Sequence, residues 1–242
     1  MADRQKLRAG ITTGNAPDNS RIFAPGLPQT TRTPTAETAK NHHIRAMNLE
    51  EAGDMNNAAL ANLAAAASYS FVADGKKKEG DLNQARILYI NSAASYHNQH
   101  RLETNETRRS IARSHAARKF ELAAECASKI TARTDITDYD RRSHWSIAEA
   151  EDLEKAAVDY ETVGEGEKAK KCLLKAAVAR INAGINLAYL GQDADASIRT
   201  AHKHFVMTGE KGLQLELERC DTWEKMIGFA AELDVELSVE EV

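Results

Sequence analysis

Eight histidines in 242 residues raise metal chemistry first. His97, His100 and Glu103 follow one another at three-residue spacing, which puts them near one helical face where they could hold an ion. A di-metal carboxylate bundle, however, needs Glu three residues before His, and no histidine here has it. His-Glu-x-x-His is also missing. His42 and His43 are adjacent, and His202 and His204 are two apart, so neither pair shares a face. His97 and His100 read as surface histidines near a helix C-terminus, and a metal-binding bundle stays as the third alternative.

Other catalytic patterns are thin. Gly164-x-Gly166-x-x-Ala169 mimics a dinucleotide fingerprint, but it follows a helical pattern where a strand is required. No phosphate loop of the Gly-x-x-x-x-Gly-Lys-Ser/Thr type and no Gly-x-Ser-x-Gly elbow occurs. Cys126, Cys172 and Cys220 lie in helical patterns and read as reduced, buried thiols of a cytoplasmic protein. Acids are abundant, and on charged helix faces they are expected to point to solvent. No enzyme activity and no cofactor is expected.

Binding chemistry is better represented. Lys76-Lys77-Lys78, then Arg108, Arg109, Arg113, Arg118 and Lys119, then Lys168, Lys170, Lys171 and Lys175 form three basic clusters. Arg109 and Arg113 share a stripe four residues apart, with Lys119 close to it, which suits an acidic protein surface. Asn91 and Asn98 are seven apart, two turns on one face, and an amide that both donates and accepts can hold a peptide backbone. Asn91, Asn98, Arg109, Arg113, Lys171 and Lys175 are therefore the candidate partner-binding residues. A net charge of −4 and only 5% aromatics, without aromatic–basic interleaving, speak against nucleic acid. No run of 18 apolar residues is present, so no membrane insertion is expected, and no charged-then-apolar leader opens the chain.

The elements that position these residues are helices. All four prolines fall in the first 34 residues, and the following 208, rich in Ala, Leu, Glu, Lys and Arg, contain none. That composition excludes all-β folds and disfavours α/β ones. Helices are expected at about 34–52, 54–74, 81–101, 105–132, 137–163, 165–190, 193–208 and 211–231, the first capped by Thr33 with Pro34 at its first position. Residues 1–34 form an arm of net charge +3, flexible or docked, 35–231 the helical domain, and 232–242 an acidic tail of −5. Leu233, Val235, Leu237 and Val239 alternate with polar residues, the period of an extended strand.

The helical part is internally repetitive. Residues 53–69 (GDMNNAALANLAAAASY) match 80–96 (GDLNQARILYINSAASY) at an offset of 27, and the segments from Gly164 and Gly191 repeat that offset. Ala sits five residues after Gly in all four (Ala58, Ala85, Ala169, Ala196), where two helices are expected to cross. Residues 154–177, EKAAVDYETVGEGEKAKKCLLKAA, resemble the SNAP family of soluble attachment proteins through Glu154-Lys155-Ala156, Tyr160-Glu161 and Ala169 to Lys175. The likeness spans about 50 residues. It implies a tetratricopeptide-like scaffold and an adaptor that binds helical bundles along a concave face. The chain is shorter than that family, its arm differs, and the family's leucine-containing C-terminal end is not evident. The expectation is thus an all-α protein of antiparallel helical hairpins, either a TPR/SNAP-like right-handed superhelix or a long-helix bundle, acting as a non-enzymatic adaptor. The alternative is a structural subunit of a homo-oligomer whose arm contacts its neighbours.

Overall fold

A computed structural model of the chain describes residues 33–239, with side chains to 237. Residues 1–32 lie outside it, and with them the expected arm and its contacts. Among the described residues there are nine helices and no strand: α1 (Ala36–Glu51), α2 (Met55–Glu79), α3 (Leu82–Leu102), α4 (Glu106–Arg133), α5 (Tyr139–Thr162), α6 (Gly166–Tyr189), α7 (Asp195–Thr208), α8 (Lys211–Glu218) and α9 (Trp223–Val239).

Local chemistry sets the first five starts. Thr35, Asp54, Asp81, Asn105 and Asp138 each accept the amide N–H three residues on, at 3.0–3.3 Å. Thr35, two residues after the expected Thr33, caps α1 because it is the residue whose hydroxyl reaches an amide of the first turn, that of Thr38 at 3.1 Å. Gly53 and Gly80 take φ of +78° and +84°, which an L side chain rarely adopts, and the adjacent Asp54 and Asp81 then open the next helix. The glycine–aspartate pair is thus both stop and start. Gly75, expected to begin a break, stays helical, because the one left-handed residue needed there is Gly80.

Each helix from α1 to α7 packs on the next, and α9 folds back onto α6. Pairings run in opposite directions along adjacent helices: Ser92 Oγ donates to the Ala66 carbonyl at 2.8 Å while Tyr89 reaches Asp74, and Tyr160 reaches Glu121 while Arg142 reaches Thr131. Neighbours are therefore antiparallel. Ala58, Ala85 and Ala169 are buried at the fourth position of α2, α3 and α6, as the repeat predicts. Ala196 is exposed instead. Helix α7 starts four residues after its glycine where the others start two after, so Ile198 takes the fourth position. Room for it comes from Gly184 of α6, where an added Cβ would lie 2.7 Å from Ile198 Cδ1.

Two expectations near the C-terminus are corrected. The single helix 211–231 is broken at Arg219–Thr222, where Thr222 Oγ1 accepts from the Lys225 amide at 3.4 Å and starts α9. The break lets Leu217 of α8 and Met226 of α9 enter the same apolar cluster. The tail residues 232–239 are helical and not extended. Positions 233 and 237 are two alternations apart but also one helical turn apart. Leu233 and Leu237 are buried, and Val235 between them is 65% exposed.

Candidate functional site

The polar chemistry of the molecule gathers on α5. Asp152 and Asp159 are seven residues apart on one stripe with Ala148 and Ala156, and that stripe faces inward. Asp152 accepts from Arg86 Nε of α3 at 2.8 Å, with Lys155 Nζ at 3.5 Å. Asp159 lies between His97 Nε2 of α3 at 2.7 Å and Arg113 Nε of α4 at 2.6 Å. Phe120 of α4 lies between these groups: Lys155 Nζ stands 5.7 Å from its ring centroid, and the His97 ring is also 5.7 Å away. Arg86 packs over Trp145 at 5.9 Å. Burial pushes the Asp152 carboxyl up against the opposing pull of Arg86 and Lys155.

Exposure divides this seam by sign. The side chains of Asp152 and Asp159 are 0% and 2% exposed, whereas Lys155 and His97 are 50% and 38% exposed. The carboxylates thus lie inside and the cations outside. Arg86, Arg113 and Lys155 outnumber the two carboxylates. The solvent side of the α3–α5 junction is therefore cationic.

Similar ties link other alternate helices. Glu50 of α1 pairs with Arg101 of α3 at 2.7 Å, and Lys77 of α2 with Glu125 of α4 at 2.6 Å. Glu154 of α5 receives Arg180 of α6 through Nε at 3.0 Å and Nη2 at 3.1 Å, and His204 of α7 at 3.0 Å. Burial opposes the Glu154 charge, but the His204 and Arg180 bonds hold its carboxyl down to about 2.

The residues singled out in the sequence separate. Asn91 and Asn98 stand on the outer ridge of α3 with Ile87 and Ala94, and at about 100° per residue they are more than a quarter-turn from Arg86 and His97. Arg109 stays on the surface, its guanidinium on Glu106 of its own helix at 3.2 Å. Arg113, expected beside it as a surface cation, turns inward onto Asp159 because a buried carboxylate requires a partner. Lys171 and Lys175 are half-exposed on α6, and both are already engaged. His97 and His100 do not converge: His100 Nδ1 lies 3.0 Å from the Arg109 carbonyl. Among the described residues no group of three or more potential ligands gathers around a point.

The acids of α5 were the missed element. Asp152 and Asp159 sit in the alanine stripe of α5, off its charged face, and that placement was the available signal. Cys126 and Cys172 are buried, and burial pushes Cys172 up to about 12, so it stays a thiol. Cys220 differs from expectation, being half-exposed in the connection between α8 and α9. A shallow cleft of about 290 Å³ lies elsewhere, lined by Ser110, Ile111, Ser114, His115 and Glu165, with Ser114 Oγ donating to Glu165 at 2.8 Å. Among the described residues no helix is long and apolar enough to cross a membrane. No protein-family model, curated protein or solved structure matches this chain.

Proposed function

We propose that the protein is a non-enzymatic adaptor, a TPR/SNAP-like helical-repeat scaffold that binds an acidic protein surface along the junction of α3 and α5. The observation that carries this reading is the division of the seam: carboxylates inside, with Lys155 and His97 as the exposed members of their pairs. An ion-pair seam with its cations outward offers charge-assisted donors to a partner's carboxylates while its own acids keep the cations in place. Sequential antiparallel packing, glycine–aspartate junctions 27 residues apart and side-chain ties between alternate helices support a repeat scaffold. The ridge of Asn91 and Asn98 stands more than a quarter-turn around α3 from the seam and would hold a peptide backbone there.

Affinity capture with the full chain, read by mass spectrometry, tests the reading. Lys155→Glu reverses the most exposed cation of the seam without removing either buried pair, so helical content should be unchanged. A reproducible partner lost on Lys155→Glu supports the assignment. No reproducible partner, or a partner retained in full by both Lys155→Glu and Asn91→Ala/Asn98→Ala, removes it.

A further inference from the structure

Helix α9 is apolar on more than the side it buries. Its inner stripe, Met226, Ala230, Leu233 and Leu237, belongs to the core shared with α6 and α7. A second ridge of Trp223, Ile227, Ala231 and Val235, each four residues from the last, faces solvent. Trp223, Ile227 and Val235 are 38%, 41% and 65% exposed, and Ala231 is exposed as well. Single exposed apolar residues are ordinary on a protein surface. A continuous exposed row on a helix whose opposite side is already buried is the pattern of a helix meant to be covered on both sides.

The next ridge around the helix is Glu224, Gly228, Glu232 and Glu236, again four apart. Gly228 has helical backbone, and a Cβ built on it would meet nothing within 4 Å. Glycine inside a helix is destabilising relative to alanine. Gly184 of α6 is accounted for by Ile198, which fills the room it leaves, but no neighbour within the chain uses the room at Gly228. With Ala231 three residues on, it forms a notch open to the outside, where a second helix could approach closely. The three glutamates around the notch are exposed and have no ion-pair partner among the described residues. Lys225, the one cation of α9, is held by Asp221 at 2.6 Å. The exposed apolar ridge is thus bordered by uncompensated negative charge. A second copy of α9 would set the same carboxylates against these, and an anionic lipid surface would be repelled in the same way.

We propose that the outer face of α9 is a docking site for a basic amphipathic helix of a partner protein. The apolar residues of that helix lie along Trp223, Ile227, Ala231 and Val235, and its backbone comes closest at Gly228. Its lysines or arginines meet Glu224, Glu232 and Glu236. This surface is separate from the α3–α5 seam, takes a partner of opposite charge and does not depend on the adaptor reading there.

The test uses the full chain. A labelled helical peptide of about 18 residues, with leucine at spacings of three and four and lysine between, is titrated by fluorescence anisotropy. It should bind one to one, and its counterpart with glutamate for lysine should not bind. Gly228→Gln fills the notch with a better helix former, so its melting temperature should be no lower than that of wild type. It should nevertheless bind the lysine peptide at least about ten-fold more weakly. Ile227→Ser/Val235→Ser should weaken binding to a similar degree with an unchanged circular dichroism spectrum. No binding to wild type, or equal binding by wild type and both variants, overturns the proposal. A lower melting temperature in Gly228→Gln also overturns it, because the room at Gly228 is then needed within the chain. A wild-type dimer by light scattering that Ile227→Ser/Val235→Ser turns into monomer overturns it too, because a second copy then covers the face. So does a synthetic peptide of residues 1–32 that binds more tightly than the lysine peptide and is lost in both variants, because the occupant is then a segment of this chain.

Discussion

Helices α1–α5 and helices α6–α9 are built by different rules. The first five each start on a side-chain cap. They pack largely through alanine, closely enough for Ser92 to reach the Ala66 carbonyl. Their alternate members are joined by ion pairs, of which those of α3 with α5 lie on the buried carboxylates Asp152 and Asp159. Helices α6, α7 and α8 begin at Glu165, Ala194 and Glu210 without a side-chain cap bond. Their core is Leu174, Ile181, Ile185, Phe205, Leu217 and Leu233. Small residues let backbones approach but remove little apolar surface from water, so the first region relies on caps and polar ties to define its register. Large side chains define register by shape, so α6, α7 and α8 manage without caps.

The contrast can be broken first at Asp159. Removing it as Asp159→Ala leaves Arg113 half-buried without its carboxylate and should cost about 3–5 kcal/mol, read as a lower urea midpoint. In the other region Phe205→Ala should cost about the same, 3–5 kcal/mol, but through a cavity, so small apolar ligands should recover part of the loss there and none at Asp159.

A smaller effect is expected at Gly184. Gly184→Leu drives a side chain into Ile198 and should destabilise by about 1–3 kcal/mol, and Ile198→Ala in the double mutant should recover most of it if the Gly–Ile exchange is what seats α7 on α6. Glu149 separates the regions by pH. Burial first, and the nearby charge of Asp234, push its carboxyl up to about 8 against the pull of Ser128 and Lys175. A carboxyl whose folded value is raised favours folding while protonated. Its contribution is therefore full below its ordinary value near 4.5 and is lost as pH rises through about 8. Thermal scans of Glu149→Gln should show a flatter fall in Tm between those limits than wild type. The smallest difference is at the caps: Asp81→Ala should cost about 1 kcal/mol, and Glu210→Ala, which removes no cap bond, much less by the same measurement.

Much of the helical frame was legible because it is written locally. Gly53, Gly80, Gly164, Gly191 and Gly209 all lie at or beside the expected breaks, since a left-handed residue is a local requirement. The break at Arg219–Thr222 was not legible, because no glycine or proline marks it and the reason for it is the burial of Leu217 and Met226 in one cluster. The candidate seam was legible only in part. Arg113 was singled out for its stripe, but whether a cation on that stripe meets solvent or Asp159 depends on a helix 46 residues away.

The sequence by itself determined that this is a helical protein, where most helices start and stop, and which alanines lie at three of the four repeat crossings. Backbone φ, capping and helical period act over a few residues, so they can be read there. Only the tertiary structure decided that Asp152 and Asp159 are interior, that Lys155 and His97 are the exposed sides of their pairs, and that residues 232–239 form a helix seated against α6 and not an extended tail. Desolvation and apolar burial belong to whatever neighbours the fold supplies, and a stripe of residues carries no mark of which neighbour that is.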